Sequence, residues 1–238
     1  MKRRRSWPPI HQGSVAFAGF RFPPKVILLA VRWYLRFGLS YRDLEELLAE
    51  RGIEVDHVTL YRWVQRFTRL LVDAARPCRH AVGDRWFVDE TYVKVAGVWR
   101  YVYRAIDHNG QVIDVYVSNK RDTTAATRFF ATAIAVHGEP VEVTTDKSPV
   151  LAKTIRELAP GAHHEMAQSA KNRVDNDHGR LKARLRPMRG LQTDQTASVI
   201  IRGHAFMQNL RRGHYELGID ALPGLTVAAA FDELARAV

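Results

Sequence analysis

The chain has 238 residues, of which 46% are hydrophobic and 26% are charged, a balance typical of a soluble globular protein and not of a disordered chain. Lysine and arginine number 36 against 25 aspartates and glutamates, and the net charge of +11 favours a polyanionic partner such as nucleic acid. The single cysteine, Cys78, excludes an intramolecular disulfide and a cysteine-based zinc site, and fits a reducing cytoplasm. The apolar run over residues 26–35 is too short to span a bilayer, so no membrane partner is expected.

Composition and hydrophobic periodicity divide the chain into four predicted parts. A flexible basic arm over residues 1–20 precedes an all-α domain over 21–75. A mixed α/β domain over 80–215 follows, and residues 216–238 form a C-terminal tail whose amphipathic end is suited to packing on a partner subunit. The basic charge is concentrated in the first 80 residues and again late in the mixed domain.

Three helices are predicted in the all-α domain. The first runs over residues 25–37 and ends at a glycine. The second follows Ser40, with Asp43 completing a capping box. The third follows Asp56 as its N-cap and extends to about Val72.

The third helix has an apolar face and, on the opposite side, a basic polar face. Two helices joined by a short glycine-containing turn, the second with such an outer face, are typical of a helix-turn-helix that binds DNA. A plain helical bundle with a solvated arginine face is the alternative. The residues expected to contact DNA are His57, Thr59, Tyr61, Arg62, Gln65 and Arg66.

The mixed domain is predicted to have the order βββ-α-β-α-β-α. Three antiparallel strands followed by parallel strands with helical crossovers give a mixed sheet covered by helices. Trp99, Tyr101 and Tyr103 in the second strand are assigned to the core, with stacking on nucleic-acid bases as the alternative.

Two aspartates of this predicted sheet are candidate site residues, and at the first of them, Asp89, an acid is costly without a partner or a metal. Asp89 shares the apolar face of the first strand with Val93, whereas Glu90 is expected to point to the opposite face. Asp146 ends a short buried strand, and strand ends are where sites collect in open α/β sheets.

A third acid, Asp175, lies on a later helix, where His178 and Lys182 share its face. Asp177 is about 200° away around the helix axis and is expected to face solvent or to serve as a hydrogen-bond partner. Three carboxylates from two strands and a helix can hold two divalent cations about 4 Å apart. Oxygen ligands suit Mg²⁺ or Mn²⁺; three unrelated surface acids are the alternative.

Three segments closely resemble the three conserved blocks of DDE transposases from bacterial insertion sequences, with the insertion-sequence-six family the nearest group. They are VDETYVKVAGVWRYVYRAID, TTDKSP and NRVDNDHGRLKARLRPMRG. The segment SYRDLEELLAERGIEVDHVTLYRWVQRF also resembles that family's helix-turn-helix. The resemblance covers roughly residues 25–215.

The resemblance implies a ribonuclease-H-like catalytic domain that recognises terminal inverted repeats, cleaves DNA 3′ ends and transfers strands. The family's first two catalytic aspartates match Asp89 and Asp146, and its third acid, normally glutamate, falls at Asp175. The matched Lys182 is expected to contact a phosphate. The same resemblance implies that the partner is double-stranded DNA and that a homodimer or larger oligomer joins two DNA ends. It also implies a cytoplasmic, nucleoid-associated location in a bacterium.

Two departures from the family pattern leave other functions open. The third acid is aspartate, one methylene shorter than glutamate, and the interval from Asp146 to Asp175 is several residues shorter than usual. A catalytically impaired copy that only binds the inverted repeats is therefore the main alternative. A metal-dependent nuclease of the same fold is a third, which the predicted helix-turn-helix disfavours.

Overall fold

The computed structural model describes residues 15–166, 171–188 and 191–238, without the side chains of residues 171–176 and 187. The described part of Met1–His80 forms one compact unit with Gly213–Val238, and Ala81–Arg212 form a second. None of the helices in these described ranges is long and apolar enough to cross a membrane. The helices are α1 Pro24–Arg36, α2 Tyr41–Ala49, α3 His57–Ala75, α4 Thr123–His137, α5 Pro149–Leu158, α6 Lys171–Leu185, α7 Asp194–Arg211 and α8 Thr226–Leu234, and the strands are β1 Arg85–Val95, β2 Val98–Asp107, β3 Val112–Ser118, β4 Glu142–Thr145 and β5 His163–Met166.

The starts of α2, α3, α4 and α7 are fixed by side chains that accept backbone N–H groups. The backbone N–H of Asp43 donates to Ser40 Oγ at 3.2 Å and that of Ser40 donates to Asp43 Oδ2 at 2.7 Å, which confirms the predicted capping box. Asp56 caps α3 as predicted, and α3 runs on to Ala75. The carboxylate of Asp122 caps α4.

In the first unit, the predicted apolar face of α3 is buried against α1 and α2. Phe17 also packs on this helix, with its ring stacked 4.7 Å from that of Phe67. Helix α8 contacts α1 and α3, and its apolar residues Phe231 and Leu234 are fully buried. The amphipathic end of the chain is therefore covered by its own unit, and the expectation that it packs on a partner subunit is not needed to explain it.

In the second unit, five strands form one mixed sheet in the order β3-β2-β1-β4-β5. Strands β1, β2 and β3 pair antiparallel, whereas β4 pairs parallel with β1 and β5 pairs parallel with β4. This is the mixed sheet, three antiparallel strands followed by parallel ones, that the sequence predicts. The β1–β2 turn places Ala96 and Gly97 at φ of 49° and 79°, as a two-residue hairpin of type I′ requires.

Helices α4 and α5 cover one face of this sheet. Phe129 and Phe130 of α4 pack there with Trp86 and Val88 of β1 and with Tyr103 of β2, which is 1% exposed. Helices α6 and α7 contact β1 and β3. This packing leaves the carboxyl end of β4 beside the middle of β1, and the candidate site lies there.

Candidate active site

Asp89 and Asp146 lie next to each other because β1 and β4 run parallel. The register pairs Val88 with Thr145, the last residue of β4, so each aspartate is the next residue along its strand direction. One carboxylate oxygen from each of Asp89, Glu90 and Asp146 lies within 4.8 Å of the other two, and all three residues are half-buried. Two acids that are 57 positions apart in the sequence are thus brought to one point, together with a third.

The loop after β4 holds Asp146 in place. Its Oδ1 accepts the backbone N–H of Ser148 at 2.9 Å, and its carbonyl accepts the hydroxyl of Thr145 at 2.8 Å. Pro149 then starts α5, where its missing N–H costs nothing. An open cavity of about 410 Å³ lies against this loop, lined by Arg121, Asp146, Lys147, Ser148, Pro149 and Val150.

Glu90 belongs to this cluster. It was expected to lie away from the site because it is on the opposite face of β1 from Asp89, and that expectation is wrong. Alternation along β1 does separate Glu90 from Asp89, but Asp146 lies beyond the end of β4, within reach of both faces. Arg121 Nε donates to Glu90 Oε1 at 2.5 Å, whereas Glu90 Oε2 is buried and has no hydrogen-bond partner among the described residues. Burial, supported by the charge of Asp146 and opposed by Arg121, raises the pKa of Glu90.

His178 of α6 also lies close to Asp89. Its Nδ1 lies 3.8 Å from Asp89 Oδ2, too far for a hydrogen bond. Burial and the nearby charge of Arg104 lower the pKa of His178 to about 4. The imidazole is therefore neutral at pH 7, and the contact is not an ion pair.

Asp177 is buried, so of the two roles expected for it, facing solvent or serving as a hydrogen-bond partner, the structure shows the second. It is 1% exposed and pairs with Arg104 of β2 and with Arg212, whose Nη2 lies 2.5 Å from Asp177 Oδ1. Burial alone would raise the pKa of Asp177, but the two guanidinium charges outweigh it and lower the pKa. The sequence could not show this, because Arg104 lies on a distant strand.

Of the two other predicted site residues on α6, the structure describes the side chain of Lys182 but not that of Asp175. Asp175 falls among residues 171–176, whose side chains lie outside the described part of the chain. Lys182 is exposed, and its Nζ lies 5.0 Å from the ring centroid of Tyr92. Its position is thus beside β1, two residues along the strand from Glu90.

The described acids fit a divalent metal. Carboxylate oxygens are the ligands that Mg²⁺ and Mn²⁺ prefer, and one oxygen from each of three acids converges within 4.8 Å. The buried Glu90 Oε2, which lacks a hydrogen bond from the described residues, is a further oxygen donor at this place.

The predicted DNA contacts of α3 fall into two groups. His57 Nδ1 lies 3.0 Å from Glu45 Oε2, and the hydroxyl of Thr59 donates to the N-cap Asp56 at 2.7 Å, so both side chains already contact their own unit. Tyr61 and Arg62 are exposed near the start of the helix.

Two further predicted contacts lie later on α3. Gln65 is half-buried. Arg66 is exposed but engaged, since its guanidinium lies 5.4 Å from the ring centroid of Phe20 and donates to the carbonyl of Ala16. The outer face that remains open to solvent is therefore centred on Arg62.

Comparisons with known proteins agree with this geometry. A family model described as a DDE domain matches residues 83–214. The transposase of the insertion sequence-like element IS431mec from Staphylococcus aureus is 38% identical over 170 residues, which cover 69% of this chain and 75% of that protein. The transposase of the insertion sequence element IS257 in transposon Tn4003, also from Staphylococcus aureus, has the same identity and coverage.

Solved structures match part of this chain at low sequence identity. The catalytic core domain of HTLV-2 integrase in complex with magnesium is 18% identical, with a TM-score of 0.42, and the match covers 64% of this chain and 99% of that one. The catalytic core domain of BIV integrase is 15% identical, with a TM-score of 0.40, over 54% of this chain and 84% of that one. Because the DDE-domain match spans more than half of the chain and the staphylococcal transposases are matched over three quarters of their length, this chain belongs to the DDE transposases of the insertion-sequence-six family.

Proposed function

We propose that the protein binds the terminal inverted repeats of its own insertion sequence and catalyses metal-dependent cleavage of the DNA 3′ ends followed by strand transfer. The observation that supports this most directly is the convergence of Asp89 and Asp146 from adjacent parallel strands. Membership of the DDE transposases gives the reaction class.

Asp89 and Asp146 are the residues that would hold Mg²⁺ or Mn²⁺, and Asp175 is proposed as the third ligand of a two-ion site. The chemistry that two such ions supply is activation of a water or a DNA 3′-hydroxyl and neutralisation of charge on the leaving oxygen. The protein itself then has mainly to position the DNA and the acids.

Arg121 is well placed to position a phosphate. It lines the cavity beside Asp146, its side chain is 52% exposed, and it is already held by Glu90. A planar guanidinium can bind a phosphate through two parallel N–H groups, and one fixed by a carboxylate loses little freedom on doing so. Lys147 lines the same cavity and adds a second positive charge.

The α1–α3 region is proposed as the part that recognises the ends of the element. Its third helix exposes Tyr61 and Arg62 near the N-terminus, where a recognition helix contacts base edges. Two ends must be joined, so we propose a homodimer or larger oligomer acting on double-stranded DNA in the bacterial nucleoid.

The experiment is a cleavage and strand-transfer assay with purified full-length protein and a labelled end of the element, in Mg²⁺ and in chelator. Asp89→Ala and Asp146→Ala should lower both activities by about three orders of magnitude, since metal stabilisation is worth several kcal/mol. Both variants should still bind the labelled end. Glu157→Ala, at an exposed glutamate of α5, is the matched control and should behave like the unmodified protein.

Two outcomes would contradict the proposal. Normal strand transfer by either aspartate variant would remove that residue from the site. End binding without cleavage by the unmodified protein in Mg²⁺ and in Mn²⁺ would leave the alternative function, a DNA-binding copy whose third acid, Asp175, no longer supports catalysis.

A further inference from the structure

Two aromatic side chains are exposed near the tip of the β1–β2 hairpin. Tyr92 of β1 and Trp99 of β2 are 54% and 49% exposed, and their rings meet edge to face with centroids 4.9 Å apart. The assignment of Trp99 to the core is therefore wrong, whereas Tyr103, four residues further along β2, is buried as predicted. Because the two exposed rings are in contact, they form one aromatic surface that is a candidate for binding.

Each ring also carries a lysine. Lys94 Nζ lies 4.8 Å from the Trp99 centroid, and Lys182 Nζ lies 5.0 Å from the Tyr92 centroid. We call Tyr92, Lys94, Trp99 and Lys182 the hairpin patch. A lysine on a ring keeps its N–H donors available, so the patch combines flat apolar surfaces with two positive charges.

The hairpin patch is continuous with the acidic cluster. Tyr92 follows Glu90 by two positions on the same face of β1, which puts their Cα atoms roughly 7 Å apart. Successive phosphates of one DNA strand are separated by about 3.4 Å along the duplex axis. A strand with its reacting phosphate at the acids therefore reaches the patch within about two nucleotides.

We propose that the hairpin patch binds an unpaired nucleotide of the DNA strand beside the reacting phosphate, with its base stacked on Tyr92 or Trp99 and the flanking phosphates contacted by Lys94 and Lys182. This rests on the proposed function. Interleaved aromatic and basic side chains are the arrangement by which proteins bind single strands, because every base has a face to stack. The base must leave the duplex, since stacking on neighbouring bases covers both of its faces there.

The composition of the patch favours DNA over a second protein. Lysine is depleted in the cores of protein–protein interfaces, where its desolvation is unfavourable. Here both cations that contact the rings are lysines. Phosphate is the partner whose charge complements them.

The experiment measures base stacking directly, in chelator so that no cleavage occurs. Full-length protein is titrated into a thymidine oligonucleotide of about 12 nucleotides that carries one 2-aminopurine. Stacking should quench the 2-aminopurine fluorescence. Tyr92→Ala and Trp99→Ala should abolish most of the quench and weaken binding about tenfold, whereas Trp99→Phe should retain the quench because a ring remains.

Val98→Ala is the matched control, because Val98 is 55% exposed on the same hairpin but is not part of the patch. It should leave quench and affinity unchanged. Lys94→Ala should weaken binding and reduce the slope of log affinity against log salt by about one, as the loss of one phosphate contact requires.

The outcomes separate this inference from the proposed function. Asp89→Ala should quench the 2-aminopurine fluorescence as the unmodified protein does, so base stacking is measured independently of cleavage. Unchanged quench and affinity in both aromatic variants, in preparations of unmodified protein that cleave DNA with Mg²⁺, would overturn the patch and leave the function intact. A change of oligomeric mass in Trp99→Ala without DNA, with the quench retained, would identify the patch as a protein interface and overturn the inference too.

Discussion

Arg104 of β2 and Asp177 of α6 form an ion pair from which solvent is almost wholly excluded, since their side chains are 0% and 2% exposed. In the strand register Arg104 lies directly opposite Asp89. The pair therefore ties α6, the helix that carries Asp175, to the position on the sheet next to the first acid. Arg212 contacts Asp177 from the end of α7, so two helices share one buried carboxylate.

Removing this carboxylate should be strongly destabilising. Asp177→Ala leaves the fully buried Arg104 without its charge partner, and we expect the free energy of unfolding to fall by about 3–5 kcal/mol. Urea denaturation measures this. Asp73→Ala is the control: it breaks an exposed pair with Arg76 and should cost less than about 1 kcal/mol. Equal losses in the two variants would show that the buried pair does not hold α6.

The third acid can be tested by restoring the residue usual in the family. Asp175→Glu should keep or raise strand transfer, because glutamate adds the methylene that the shorter side chain lacks. Asp175→Ala should abolish it with normal end binding, about as severely as loss of the other two acids. Activity in Asp175→Ala equal to that of the unmodified protein would require another third ligand.

Glu90 and Arg121 should affect metal affinity in opposite directions. Glu90→Gln removes a negative charge within 4.8 Å of Asp89 and Asp146 and should weaken Mn²⁺ binding about tenfold. Arg121→Gln removes the adjacent positive charge and should tighten Mn²⁺ binding in the absence of DNA. Calorimetric titration with Mn²⁺ measures both. The same sign of change in the two variants would contradict an electrostatic role for Glu90 at the metal.

Arg62 should contribute to recognition of the DNA end. If its exposed side chain reaches a guanine, Arg62→Ala should weaken specific end binding by about 1–3 kcal/mol and leave binding to random DNA nearly unchanged. Arg69→Ala is the matched control, because Arg69 is an exposed arginine two turns further along α3. A preference for the ends that survives in Arg62→Ala would exclude Arg62 from base recognition.

His204 of α7 should make the protein less stable in mild acid. Burial lowers the pKa of His204 to about 3, below the usual value of 6.5, and the charged groups that act on it are Arg104, Asp177, Arg184 and Arg212. Between these pH values the unfolded chain holds more protons, so the free energy of unfolding falls as the pH drops from 6.5 towards 3. The loss should be about 2 kcal/mol between pH 7 and pH 5.

His204→Gln tests this, because it removes the titrating ring. Urea denaturation of this variant at pH 7 and pH 5 should show a smaller drop in stability than the unmodified protein. An identical pH dependence in the two proteins would assign the acid sensitivity to other groups.

Features set by local chemistry were predictable from the sequence. The capping box at Ser40 and the cap at Asp56 follow from residue types a few positions apart, and both are present. The proximity of Asp89 and Asp146 was also predictable, since an acid in a core strand and an acid at a strand end have few other places to lie.

Features that depend on distant partners were not predictable. Helical periodicity placed Asp177 away from Asp175, but it could not show that Asp177 pairs with Arg104, which lies on a distant strand. Strand alternation assigned Glu90 to the face of β1 opposite Asp89. It could not show that Asp146, just beyond the end of β4, lies close to both residues. Trp99 occurs in an aromatic strand, and its residue type alone does not show that it is exposed near the hairpin turn.

The amide side chain of Asn209 pairs with the backbone of β3 at the edge of the sheet. It accepts the backbone N–H of Val112 at 2.7 Å and donates to the carbonyl of the same residue at 2.8 Å. Because β3 is an outermost strand, these are groups that a foreign chain would otherwise use for β-sheet extension. One amide on α7 thus makes these backbone groups of Val112 unavailable to a foreign strand.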